Sequence, residues 1–299
     1  MTAPCGLHIM QKTMLVLIFI KELVVATFIQ MASLFGGVVI FGVLINFISQ
    51  LTSKSLERSF GRKGVYFVAW LGTPVHELGH AIFCLAFAHK ITDIQFFRPD
   101  PLTGTLGYVH HKWNCSNPWQ VLGNFFIGIG PLILGCVALF ATFYFLIPDS
   151  SHAWDSILVR VNEGEQDYSI GTFMTIIGSS ALAMVKLVFT VSSLTSWRFY
   201  VFGYISICIA SNISLSLSDI KGALSGLGYV ILPFLAINFV GLVSSFGGER
   251  FMPLMASSLG AIYSLLILAL VMVLLMFVLT YFLSAIYVKI TRGYLLNPL

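Results

Sequence analysis

Charge is scarce in this 299-residue sequence: Asp, Glu, Lys and Arg together make up 9% of it. The net charge of +4 is spread thinly with no block of basic residues, which excludes nucleic acid as a partner. Polar stretches are short as well. None exceeds about thirty residues, so a second, water-soluble domain has no room. Of the five cysteines none forms a Cys-x-x-Cys pair, and Cys84, Cys136 and Cys208 lie in apolar runs. A disulfide frame and a zinc knuckle are thereby excluded, and these three read as small buried hydrophobes. No repeat of fixed period is present. The apolar run at 14–20 is short, is interrupted by Lys21 and Glu22, and lacks a small-x-small cleavage site. The N-terminus is therefore expected to stay uncleaved.

What fills the sequence instead is hydrocarbon. Hydrophobic residues make up 58%, mean hydropathy is +0.92, and apolar runs of about eighteen residues or more recur. The expected fold is an all-α polytopic membrane protein, a single integral-membrane domain over 1–299 with about six transmembrane helices. Residues 9–28 read as an interfacial helix or the polar start of a first span, and spans follow at 29–51, 64–88 and 119–147. Two shorter apolar stretches, 169–192 and 197–214, precede clear runs at 223–243 and 255–288, the last long enough to tilt or project. Residues 52–63 carry Lys54, Arg58, Arg62 and Lys63 against Glu57 alone and read as the most basic loop. If both shorter stretches cross, this loop and the pair Lys289 and Arg292 share the cytoplasmic side; if only one crosses, they lie on opposite faces. Residues 148–168, with Asp149, Asp155, Glu163, Glu165 and Asp167 against Arg160, read as a solvent-exposed excursion.

Ionisable groups are costly in hydrocarbon and tend to mark function there. That singles out residues 72–81, Gly-Thr-Pro-Val-His-Glu-Leu-Gly-His-Ala. On a helix, His76 and His80 stand one above the other on a single face and can reach one zinc ion, while Glu77 can act on a water beside it. Pro74 removes one backbone hydrogen bond and predicts a kink, and a freed carbonyl is tolerable only where protein or trapped water lines a cavity. Gly79 slims one side of the helix, either for a close-packed neighbour, the commoner reason, or for a substrate backbone. After the motif, 89–118 is too polar to span. Residues 103–109 alternate β-branched or aromatic residues with glycine, as a short β-like strand or hairpin does. His110 and His111 read as interfacial histidines rather than as a ligand pair, because neighbours on a strand point to opposite faces. In the third span, Gly123, Gly128, Gly130 and Gly135 predict close helix contact, and Pro131 predicts a local break.

A catalytic zinc keeps three protein ligands. Asp93 and Asp100 lie in the loop after the motif, whereas Asp219 lies in 211–222, a polar interruption between apolar runs. Asp219 reads as the third ligand or as the N-cap of a helix starting near Ile220, two roles that different oxygens can share.

Taken in order, His-Glu-Leu-Gly-His at 76–80, Gly-Thr-Leu-Gly-Tyr-Val at 104–109, Gly130-Pro131 and the segment from Asn212 to Asp219 resemble the site-2 protease family of intramembrane zinc metalloproteases. The resemblance covers about residues 64–245. The family's last motif is Asn-x-x-Pro-x-x-x-Leu-Asp-Gly; here Asn212 and Asp219 are seven apart, the proline is absent and Ser218 replaces Leu. The resemblance implies Zn2+ held by His76, His80 and Asp219, Glu77 as the catalytic residue, and substrate contacts from Asn212, Gly104 and Gly107. It also implies a membrane-protein substrate, cut within the lipid bilayer, and a multi-pass location in a bacterial inner (cytoplasmic) membrane. Two other readings compete. One is a membrane metallopeptidase of the prenyl-protein protease kind, whose third ligand is a Glu, here Glu163, Glu165 or Glu249. The other is an inactive metal-binding scaffold that holds client helices.

Overall fold

The structure, a computed structural model, describes residues 5–151, 175, 178–179, 182–183, 185–213, 215–244 and 248–293. Helix α1 (Cys5–Met31) passes through a π-helical turn at Ala32–Gly36 into α2 (Gly37–Phe60). Helix α3 (Arg62–Ala86) carries the His-Glu-x-x-His motif, and an antiparallel pair follows, β1 (Lys90–Gln95) with β2 (Tyr108–Lys112). Then come α4 (Pro118–Leu146), the single turn α5 (Val191–Leu194), α6 (Trp197–Ala210), α7 (Leu217–Ser244) and α8 (Gly248–Arg292).

Among the described residues, five helical segments are long and apolar enough to cross a membrane: Gln11–Met31, Gly37–Phe60, Pro118–Leu146, Leu217–Val243 and Ala269–Arg292. These are the lengths and compositions of a multi-pass membrane protein. Their outward faces carry exposed Leu17, Phe28, Phe145 and Val243, side chains that water would not tolerate in such density. Helix α3 is long enough, at 25 residues, but its two imidazoles and carboxylate keep it out of that apolar set.

Several expectations are corrected. The span expected at 29–51 is divided by the π turn, and the residues before it, Gln11–Met31, are a full-length apolar segment rather than a polar start. The basic stretch 52–63 is mostly not a loop. Helix α2 runs to Phe60, so Lys54 and Arg58 lie in its last turns, where cations suit the helix dipole, and only Gly61, at φ 67°, breaks the chain before α3. Helix α6 has 14 residues, about 21 Å of helix, too short to cross a hydrocarbon core of about 30 Å. Much of 169–192 falls outside the described residues. Of the expected excursion 148–168 the structure describes only the first four residues: Asp149 and Ser151 are exposed, while Ser150 is buried and donates to the Tyr144 carbonyl (2.6 Å). Asp155, Glu163, Glu165 and Asp167 lie outside the described residues.

Helix α4 is the hub, packed by α3, α6, α7 and α8. Asn117 caps it by accepting from the Trp119 amide (3.0 Å), with Pro118 in the first turn, where a missing N–H costs nothing. The glycines of α4 are contact points, as their spacing suggests. A Cβ on Gly79 would lie 2.7 Å from Pro131 Cα, and one on Gly130 2.7 Å from the Gly79 carbonyl, so α3 and α4 touch backbone to backbone. A Cβ on Gly128 would lie 2.4 Å from the Asp219 carbonyl, which is how α7 comes close. Gly79 thus serves helix packing. Helix α6 is fastened to α3 by Trp70 Nε1 donating to Tyr204 Oη (2.7 Å), which in turn donates to the Phe67 carbonyl (2.8 Å). Helix α1 is fastened to α7 by polar groups: Gln30 donates to Asn238 Oδ1 (3.1 Å), and Asn238 Nδ2 reaches both Gln30 Oε1 (2.8 Å) and Thr27 Oγ1 (3.0 Å).

The strand expected over 103–109 is displaced. The ladder uses Tyr108–Lys112, and its partner, Lys90–Gln95, was not foreseen because Lys90, Thr92, Asp93 and Gln95 give it no apolar alternation. Pairing continues past the ladder, with Arg98 N donating to the Leu106 carbonyl (2.7 Å) and Asp100 N to the Thr105 carbonyl (2.8 Å).

Candidate metal centre

Helix α3 presents His76 and His80 one turn apart, with ring centroids 5.0 Å from each other. Asp219 enters from the first turn of α7. His80 Nε2 lies 3.3 Å from its Oδ1, and His76 Nε2 lies 3.8 Å from its Oδ2. Two ligand atoms on a tetrahedral zinc, each about 2.0–2.1 Å from the metal, stand roughly 3.3 Å apart. The two imidazoles and one carboxylate therefore fit zinc in donor type, number and spacing.

The other ring nitrogens are also held. His76 Nδ1 donates to the Asn212 carbonyl (2.7 Å), and His80 Nδ1 donates to the Ile127 carbonyl (2.8 Å). Both bonds leave the Nε2 lone pairs directed at the common centre, the arrangement that tunes metal-binding histidines. Each acceptor is a carbonyl that the helices have released. In α4 the amide that ordinarily bonds the Ile127 carbonyl belongs to residue 131, a proline without an N–H. Helix α4 runs unbroken through Pro131, so the expected break is not found. What the proline does is free an acceptor for His80. Asn212 lies just beyond the end of α6 at Ala210, where carbonyls have no helical partner.

Asp219 has a second job on its own helix. Ser216 Oγ accepts from the Asp219 amide (3.1 Å), and Asp219 Oδ2 accepts from the Ser216 amide (2.7 Å). This reciprocal pair is a capping box with Ser216 as N-cap. The expectation of Asp219 as N-cap is corrected accordingly: the helix begins at Leu217, before Ile220, and Asp219 is its third residue. Capping and facing the imidazoles coexist on one carboxylate.

Glu77 is buried, 6% exposed, next to the pair. Gly107 crosses over it so closely that an added Cβ would lie 2.9 Å from Glu77 Cγ. Gly104 is different: at φ 75° it makes the exposed turn of the hairpin, its amide donating to the Asp100 carbonyl (2.9 Å). Asn212 spends its side chain inside the protein, donating to the Cys208 carbonyl (2.9 Å) and accepting from Thr73 Oγ1 (3.3 Å). Asp93 and Asp100 are outside the triad. Asp93 accepts from Tyr108 Oη (2.7 Å), and Asp100 accepts from the Leu102 amide (2.9 Å) and Thr103 Oγ1 (2.7 Å), bonds that hold its carboxyl below the usual range. A cavity of about 1230 Å³ joins His76, Glu77, His80, Gly104, Gly107, Asn212 and Asp219. Buried Asn124 of α4 lines it too, and its polarity within an apolar span is the sequence signal that marks it.

Comparison of the chain with protein-family models, with curated proteins and with solved structures gives no match in any of the three.

Proposed function

We propose that this chain is an intramembrane zinc metallopeptidase of the site-2 protease kind, hydrolysing peptide bonds of membrane-embedded proteins. The observation that carries the reading is the convergence of His76, His80 and Asp219 beside buried Glu77, within a cavity bordered by apolar helices. His76, His80 and Asp219 would hold the zinc, which when bound supplies a Lewis acid that makes water a nucleophile at neutral pH. The remaining work belongs to the chain. The Glu77 carboxylate accepts a proton from the attacking water and delivers it to the leaving amide nitrogen, so that the peptide bond breaks into a carboxylate and an amine. Carbonyls of Ile127 and Asn212 keep the imidazoles turned toward their task. Gly107 shields Glu77 from above, and 104–109 border the cavity, so an unwound substrate would lie alongside this stretch in extended form. Asn212, expected to contact substrate, instead serves the site through its carbonyl, since its side-chain amide is bonded to Cys208 and Thr73.

Glu77→Gln tests the mechanism. It should keep zinc and fold while lowering cleavage by about 10²–10⁴-fold, the usual contribution of general acid–base assistance. The readout is a survey of new protein N-termini in membranes from cells expressing each form. Termini inside apolar segments should appear with the native chain and vanish with the variant. Identical sets of termini in both would overturn the proposal.

A further inference from the structure

The motif ridge of α3 does not stop at His80. Four residues on, one turn further along the same face, stands Cys84, fully buried. The helix ends at Ala86, and the chain then does something unusual: Ala88 adopts φ 56°, a left-handed conformation that residues other than glycine rarely hold. The consequence is that the chain folds back, the His89 amide donating to the Cys84 carbonyl (2.8 Å), with His89 buried at 4% exposure. Strand β2 brings His111 to the same point. His89 Nδ1 and His111 Nδ1 are 3.0 Å apart, and the ligand atoms of Cys84, His89 and His111 all lie within 4.8 Å of one another.

The surroundings are built as well. His89 Nε2 donates to the Gln120 carbonyl (2.7 Å), which assigns the proton to Nε2 and leaves Nδ1 with its lone pair toward the cluster. Gln120 itself is clamped, donating to the Ala88 carbonyl (2.8 Å) and accepting from the Asn114 amide (2.6 Å). Gly123 of α4 allows this approach, since a Cβ there would lie 3.0 Å from His89 Nε2. Trp113 covers the group, stacked on His89 at 5.9 Å between ring centroids. Backbone strain spent to bring a histidine over a buried cysteine, with an oriented ring and an aromatic cover, is how a ligand site is held.

We propose that Cys84, His89 and His111 form a second metal site, separate from the triad of His76, His80 and Asp219, for zinc or a similar borderline-to-soft transition ion. One thiolate and two imidazoles is a donor set that such ions select over magnesium or calcium. Binding releases the Cys84 thiol proton to solvent and moves the His111 proton from Nδ1 to Nε2, freeing Nδ1 for the metal. Because the ligands come from α3, the turn after it and β2, the metal fastens the hairpin to the end of the motif helix. It thereby fixes the stretch that borders the cavity.

The test uses the full chain in detergent, stripped of metal and titrated with Co2+ as the stand-in for zinc. Only a site with a cysteine ligand gives thiolate-to-cobalt charge-transfer absorption in the near ultraviolet. The native chain should show it and bind two ions. Cys84→Ser should lose the absorption and one ion, and so should His111→Gln, whose half-buried position on the strand is less exposed to folding failure. The double variant His76→Ala/His80→Ala should keep the absorption at full strength with one ion remaining. If the peptidase reading alone is wrong, the native chain binds a single ion with the absorption intact, which still supports this second site. Saturation of the native chain without the absorption, or absorption that survives Cys84→Ser, would overturn it.

Discussion

Two triads share helix α3, and they were assembled in opposite ways. His76 and His80 are a local pattern: helical spacing alone puts the imidazoles on one ridge, and the Asp219 carboxylate from a distant helix completes the set. Cys84, His89 and His111 take one residue from that ridge, one from a strained turn and one from a strand. The first is written into the helix and the second into the way the helix ends. What the difference teaches is that the legibility of a side-chain cluster depends on how much of it one regular element supplies.

The comparison can be broken at its largest joint by Asp219→Ala. Loss of a direct ligand should lower zinc affinity at the first site by more than the roughly 10–100-fold typical of outer partners, and should leave the cobalt–thiolate absorption of the second untouched. The same substitution removes the capping-box carboxylate, at about 1 kcal/mol of stability. Isothermal titration beside thermal unfolding separates the two effects; unchanged affinity would return Asp219 to a purely capping role.

Pro131→Ala sharpens the point about released carbonyls. A restored amide at 131 competes with His80 for the Ile127 carbonyl, so zinc affinity at the first site should fall by about 10–100-fold. Helix α4 should meanwhile gain stability, since an interior proline costs up to about 3 kcal/mol relative to alanine. A melting temperature that rises while zinc binding weakens is the signature to look for. Both quantities moving together would contradict the assignment.

Ala88→Val addresses the second site alone. The side chain at 88 is exposed, so packing is not at issue, but a β-branched residue resists the left-handed conformation. The expected cost is about 1–2 kcal/mol, with a weaker cobalt–thiolate absorption and a first site that titrates as before. Smallest of all is Asn238→Leu, which cuts the link between α1 and α7 far from both triads. It should lower stability by about 0.6–2 kcal/mol in thermal unfolding and change neither metal site.

Legibility ran along the same line for the fold. The long apolar runs announced helices, and the clustering of Gly123, Gly128, Gly130 and Gly135 in one span announced that α4 would be approached closely. Boundaries were less legible. The basic residues at 54 and 58 suggested a loop, yet their aliphatic stems and the favourable dipole at a helix end let α2 carry them to Phe60. Strand β1 has no signature in the sequence, because an exposed two-stranded hairpin needs no alternation of apolar residues, only a partner. Cys84 read as a buried hydrophobe, which its burial agrees with, but burial says nothing of which imidazoles will arrive beside it.

By itself, then, the sequence determined an apolar, helical chain and one face bearing two imidazoles and a carboxylate, because composition and a 3.6-residue period are properties of neighbours in the chain. Only the tertiary structure decided that Asp219 meets that face, that Pro131 releases the carbonyl which turns His80, and that His89 folds back over Cys84 to meet His111. Those outcomes depend on which helices cross, how closely their glycines let them approach, and where a backbone accepts strain, and none of these has a period that a linear reading can detect.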